Sequence, residues 1–310
     1  MDRSERAERA LRLRGHREKF SRLGWALVSQ AAAMLAVQTA LLLLAQAAAP
    51  RLIHSGAFLW LVSVLSAYGA GVPAFCLVLR GTEGAPPEPG RPLGPGRFLQ
   101  TYIAGLGLMY LVNFGTLALM ALISALRGAA VENPVESLAG YPLPLGLLLG
   151  CVIAPLCEEY LFRWLLLNRL RPYGEGFAAG ASALCFGLFH GNLSQFFYAC
   201  AIGVVFAAVV LKTGRLWQAV LLHAMINFIG TGLIPLLSGL GTAGERLLTA
   251  LVLGVIPVGL ALLVRRRRDF APAPGWMGLT AGEAWRCFLA NPGMLCFLGL
   301  SLFLAAAYLV

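Results

Sequence analysis

Residues 143–167 read LPLGLLLGCVIAPLCEEYLFRWLLL, apolar throughout except at Glu158, Glu159 and Arg163. About 20 such residues suffice to cross a bilayer as a helix. An acid at bilayer depth costs at least ~2.5 kcal/mol on the gentlest insertion scales. Two adjacent acids inside such a run therefore point to use, and the other acids of the chain lie in termini, loops or helix ends. The chain as a whole has 310 residues, 59% hydrophobic and 12% charged. Soluble domains average about 25% charged. The composition thus reads as all-α, a polytopic transmembrane helical bundle.

Further runs of this kind lie on both sides. Nine candidate spans fall at 23–48, 56–79, 98–126, 143–170, 175–191, 193–212, 215–238, 247–264 and 293–310, the fifth of them short, which predicts 8–9 crossings. The expected organisation is a basic cytoplasmic arm over 1–22, a core over 23–264 with its motifs in 143–238, a polar and basic linker over 265–292, and a C-terminal hydrophobic helix over 293–310. Loop 80–97 is rich in Gly and Pro, which predicts a flexible or extended connection.

The net charge is +10, and much of it sits at Arg3–Arg22 and Arg265–Arg268. Basic blocks also suit nucleic acid, but both blocks flank apolar spans, so no nucleic-acid partner is expected. Arg80, Arg91, Arg97, Arg169, Arg171, Lys212 and Arg215 fall in the loops that alternate with the basic N-terminus. The other set of loops holds only Arg51, Arg127 and Arg246. That bias predicts a cytoplasmic N-terminus, and the arm is placed to meet anionic membrane lipids. The seven cysteines lack metal-knuckle spacing, so neither a disulfide framework nor a structural zinc is expected.

Three patterns carry chemistry. Glu158-Glu159-Tyr160-Leu161-Phe162-Arg163 lies on the fourth span, Phe186-Gly187-Leu188-Phe189-His190 on the fifth, and His223-Ala224-Met225-Ile226-Asn227 on the seventh. Glu159 and Arg163, four apart, share a helical face and can pair; so can His223 and Asn227, and Phe186 and His190. Pro155 breaks the backbone ladder just before the acids and can free carbonyls there. A glutamate beside imidazoles can activate water and pass on its proton, and Asn227 can offer an amide donor to an oxyanion. Alternatively, Glu158, His190 and His223 have the ligand types of a hydrolytic zinc site. A proton-coupled transporter would use the same intramembrane acids and histidines, and a non-catalytic scaffold would need none of them for chemistry.

These residues, as E-E-x-x-x-R, F-x-x-x-H and H-x-x-x-N in order, resemble the CPBP family, the CAAX proteases and bacteriocin-processing proteins of Abi type, and within it the type II CAAX prenyl endopeptidases. The resemblance covers about 70 residues. It implies a helical intramembrane endopeptidase, expected in a bacterial plasma membrane, that acts on a peptide or on a lipidated or membrane protein. It makes Glu158 the water-activating base supported by Glu159, with Arg163 as a structural partner and Phe186 packed against the site. His190 and His223 would bind a divalent metal, zinc by ligand type, or shape the site, and Asn227 would stabilise the oxyanion. Peptide maturation and bacteriocin self-immunity are the roles the family suggests.

Glu158 lies ~20 Å from Arg171, His190 ~22 Å from Glu175 and His223 only ~12 Å from Arg215 at 1.5 Å per residue. If the three meet, helices four and five must project farther than helix seven. This leads to an expected approach from the cytoplasmic side.

Overall fold

The computed structural model describes residues 3–131 and 140–309, so Met1, Asp2 and Val310 of the expected terminal segments lie outside it. Among the described residues the regular structure is entirely helical. We number the helices α1 (Arg3–Ala48), α2 (Gly56–Leu79), α3 (Pro95–Arg127), α4 (Leu143–Tyr173), α5 (Glu175–Phe189), α6 (Leu193–Thr213), α7 (Leu216–Ser238) and α8 (Thr242–Arg266). Then come α9 (Ala281–Leu289) and α10 (Pro292–Ala307), bent by 68° at their junction. Among these described helices, seven are long and apolar enough to cross a membrane, or eight if α9 and α10 act together.

The segment expected as a fifth span is a 15-residue helix, ~22 Å long at the usual rise against a hydrocarbon thickness of about 30 Å. Its position accounts for its length. α5 lies inside the bundle against α4, α6, α9 and α10, with Ala178, Ala181, Ser182 and Cys185 fully buried. A helix sheathed by protein need not match the bilayer. Small residues permit the close approach. A Cβ on Gly187 would fall 2.3 Å from Cys200 Sγ and 2.8 Å from the Phe196 carbonyl on α6. Ser182 Oγ donates to the Phe162 carbonyl at 2.8 Å, tying α5 to α4.

The stretch read as a linker also contains a packed element. Thr280 and Glu283 form a reciprocal cap at the start of α9, and Ala284, Cys287 and Phe288 are buried on its inner face. Phe288 meets Phe20 of α1 and Phe177 of α5 at ring-centroid distances of 5.6 and 5.7 Å. Asn291 then ends α9 and starts α10. Its amide donates to the Cys287 and Phe288 carbonyls, and its oxygen accepts from the Met294 N–H.

The basic ends gather at one end of the bundle. Loop 80–97 crosses there as an extended strap. Ala85 N–H donates to the Asn168 carbonyl, Gly90 N–H to the Thr213 carbonyl, and the Gln218 amide bonds Leu93 through both its N–H and its oxygen. A second strap pairs with the α4–α5 turn: Glu175 N–H donates to the Ala273 carbonyl, and Trp276 N–H to that of Pro172. The first strap covers the beginning of α7, where Gln218 is fully buried. Both straps cover the end from which approach was expected.

Replacing Gly187 with alanine is expected to push α5 from α6 and lower stability by about 1–3 kcal/mol, as overpacking does. Thermal unfolding in detergent checks it; an unchanged midpoint would remove the close crossing as a constraint.

Candidate active site

α4 is irregular where its acids sit. Wider π-type turns run over Leu149–Ile153 and Tyr160–Leu166, on either side of the short α-helical stretch Ala154–Glu159. Such turns frequently accompany functional sites. Proline supplies the local cause. Ala154 N–H reaches back five residues to the Leu149 carbonyl. The next bond in that register would run from residue 155 to the Gly150 carbonyl, but Pro155 has no N–H to give. Asn227 of α7 supplies the missing donor, its Nδ2 lying 2.8 Å from the Gly150 oxygen.

Glu159 and Arg163 are both fully buried, with Arg163 Nε 3.3 Å from Glu159 Oε2. Three further groups surround the guanidinium. Its Cζ stands 4.3 Å from the Phe186 ring centroid and 5.4 Å from that of Phe206, and Nη2 donates to the Gly203 carbonyl at 3.3 Å. Gly203 leaves room for it, since a Cβ there would lie 3.0 Å from Nη2. Aromatic faces and a counter-ion together offset the desolvation of the cation.

The other oxygen of Glu159, Oε1, lies 2.9 Å from His223 Nδ1. A carboxylate accepts, so the proton is assigned to Nδ1 and Nε2 is left free. His223 Nε2 stands 3.8 Å from Glu158 Oε2, a separation that one water can bridge. Phe206 stacks on the His223 ring at 5.1 Å and 23°. Glu158, 7% exposed, accepts from Tyr68 Oη at 2.8 Å through Oε1. His190 sits at the C-terminal end of α5. Its Nδ1 lies 2.8 Å from the Phe186 carbonyl, which can only accept, so its Nε2 is free as well. The Phe186 ring lies between the two imidazoles, 5.0 Å from His190 and 5.7 Å from His223.

The structure therefore brings Glu158, Glu159, Arg163, Phe186 and His223 into one buried cluster, with His190 across the Phe186 ring. Asn227 uses one amide hydrogen on the backbone of α4, where the sequence suggested an oxyanion donor; a second N–H remains on the same nitrogen. The donor types of Glu158, His190 and His223 suit a divalent metal. Yet among the described residues no three His, Cys, Asp or Glu side chains are grouped to hold one.

Tyr68 and Phe206 were not among the sequence candidates. Tyr68 carries a legible signal. It lies mid-way along α2 within the turn Leu65–Gly71, away from the membrane interfaces where tyrosine usually gathers, and a buried phenol needs a partner. Phe206 carries no such signal, being one aromatic residue in an apolar helix.

A family model described as "Type II CAAX prenyl endopeptidase Rce1-like" matches residues 141–229, the stretch holding all three patterns. The protein named "Putative membrane peptidase YdiL" of Bacillus subtilis (strain 168) is 30% identical over 86 residues, which is 27% of this chain and 35% of that relative. The chain thus covers about a third of the relative's length. Both matches support assignment to the CPBP/CAAX-protease family. No solved structure matches the chain significantly.

Removing Arg163 alone, as Arg163→Met, is expected to cost about 3–5 kcal/mol by leaving Glu159 buried without its counter-ion. Arg163→Lys also loses stability, because a compact ammonium cannot span two rings and a carboxylate. The double variant Glu159→Gln/Arg163→Met should lose less than Arg163→Met. Denaturation of the three proteins in mixed micelles measures this, and equal losses for the single and double methionine variants would refute the coupling.

Proposed function

We propose, on the family assignment carried by residues 141–229, that this protein is an intramembrane endopeptidase similar to CAAX prenyl proteases. Its substrate would be a peptide or a lipidated or membrane protein. The reading is supported above all by the meeting of Tyr68 and His223, from two other helices, at the two oxygens of Glu158. Nothing in packing alone calls for that meeting.

In this reading a water held between Glu158 Oε2 and His223 Nε2 gives its proton to Glu158 as its oxygen bonds to the substrate carbonyl carbon. Tyr68 fixes the orientation of the Glu158 carboxyl by donating to its other oxygen. Glu159 holds the His223 ring through Nδ1, and Arg163 holds Glu159. The second N–H of Asn227 is available to the oxyanion. Glu158 then returns the proton to the departing nitrogen as the C–N bond breaks, giving a carboxylic acid and an amine. Glu158, His190 and His223 carry the donor types that would hold a divalent ion, which when bound would activate water and polarise the carbonyl, and the steps above do not run through one.

The test is hydrolysis of peptides, with and without a prenyl group, by the purified protein in lipid, with its metal content measured alongside. Glu158→Gln is expected to lower turnover about 10²–10⁴-fold. Tyr68→Phe should lower kcat about tenfold with KM little changed, as loss of one hydrogen bond to a charged group implies. Wild-type turnover from Glu158→Gln would sink the assigned base. Substrate flux without cleavage would favour the transporter, and full biological activity from Glu158→Gln would favour the scaffold.

A further inference from the structure

The strapped end of the bundle holds a cavity of about 600 Å³, lined by Arg91, Arg97, Lys212 and Arg266 and by no residue of the three patterns. Four segments build it: the strap, the first turn of α3, the last turn of α6 and the end of α8. We propose that it binds the phosphate headgroup of an anionic phospholipid.

The charges of this cavity are unevenly answered. Lys212 donates to Glu175 Oε2 at 2.8 Å, and Arg266 Nη1 to Asp269 Oδ2 at 3.0 Å. Asp269 is the one acid in the lining. Among the described residues, no hydrogen bond or ion pair engages the guanidinium groups of Arg91 and Arg97, and both residues are exposed. Arg266 keeps a further buried donor, Nε, without a hydrogen-bond partner. Two unanswered cations and a spare guanidinium N–H call for an anion with several acceptor oxygens, and a phosphate has that form.

The surroundings select a lipid over a free anion. Arg97 and Arg266 mark the points where α3 and α8 leave the polar end and become apolar. Leu99, two residues beyond Arg97, is 52% exposed, and Val264, two residues before Arg266, is 61% exposed. α3 and α8 pack closely, with a Cβ on Gly107 falling 2.8 Å from the Gly259 Cα. A headgroup in the cavity therefore has exposed aliphatic walls directly beneath it for its acyl chains. Basic pockets between transmembrane helices at this level bind such headgroups.

Native mass spectrometry of the full chain tests this, with dioleoylphosphatidylglycerol, dioleoylphosphatidylcholine and inorganic phosphate each titrated. Phosphatidylglycerol is expected to bind at one saturable site and phosphatidylcholine not to saturate it. Arg91→Gln/Arg97→Gln, which removes no observed intramolecular contact, should weaken that site about tenfold or more, as the loss of two charged donors to the phosphate implies. Arg265→Gln/Arg268→Gln, which takes the same charge from the same end outside the lining, should change it less than about twofold, because charges that do not touch the phosphate act only through a salt-screened field. Equal weakening by the two pairs would reduce the effect to diffuse attraction and overturn the site. Displacement of the lipid by millimolar inorganic phosphate would assign the cavity to a free anion and overturn the lipid. Both variants are compared at matched thermal midpoints, and because the cavity lies apart from Glu158, the result stands or falls independently of peptide hydrolysis.

Discussion

A guanidinium with no exposed surface governs the interior of this protein. Arg163 is met there by partners drawn from three helices, while its Nε and Nη1 make no hydrogen bond among the described residues. Glu159 is on its own helix, Phe186 is on α5, and Phe206 and the Gly203 carbonyl are on α6. Meeting the demands of one cation thus fixes how α4, α5 and α6 sit together. Glu159, held by Arg163 on one oxygen, holds His223 of α7 on the other. One buried charge thereby orders four helices and sets the ring orientation of the imidazole that faces Glu158. Burial raises the energetic consequence of any lost partner, so the arrangement is specific as well as costly.

The second organising feature is an absence in the backbone. Pro155 leaves the Gly150 carbonyl unbonded within α4, and the Asn227 amide of α7 fills the vacancy. The helix can remain irregular beside its acids because another helix satisfies what the irregularity exposes. On the opposite side, the turn of α2 that carries Tyr68 brings a phenol to Glu158. Each of the two neighbouring acids is therefore held by its own partner, Glu159 by an ion pair and Glu158 by a neutral donor.

The two ends of the bundle differ in construction. At the basic end, two Pro- and Gly-containing straps use backbone bonds to join α4, α5 and α6, the Gln218 side chain adds α7, and an aromatic cluster of Phe20, Tyr173, Phe177 and Phe288 ties in α1 and α9. Proline suits such straps because it extends the chain without demanding a donor's partner. His190 and the turn after it lie at the other end of α5, where Asn192 caps α6 and its amide also donates to the His190 carbonyl. The cluster of acids and imidazoles is thus suspended between a closed end and a capped turn.

Much of this was legible in the chain before any coordinates. Hydropathy reports the solvent each segment meets, so the helical class and the main spans follow from composition and run length. The four-residue spacing of Glu159 and Arg163 reports their pairing, since a helix places such residues on one face whatever surrounds it. The alternation of basic loops agrees with the gathering of those loops at one end. What depends on which helices are neighbours was not legible. A 15-residue apolar helix reads alike in lipid and within protein, so only packing placed α5 in the interior. Periodicity put Asn227 beside His223 but could not say that a proline on α4 would leave a carbonyl for its amide. Tyr68 and Phe206 lie 90 and 17 residues from the side chains they hold, Glu158 and His223. Local sequence encodes faces and lengths; the tertiary structure decided which faces meet, because a buried polar group accepts whatever partner the packing brings within reach.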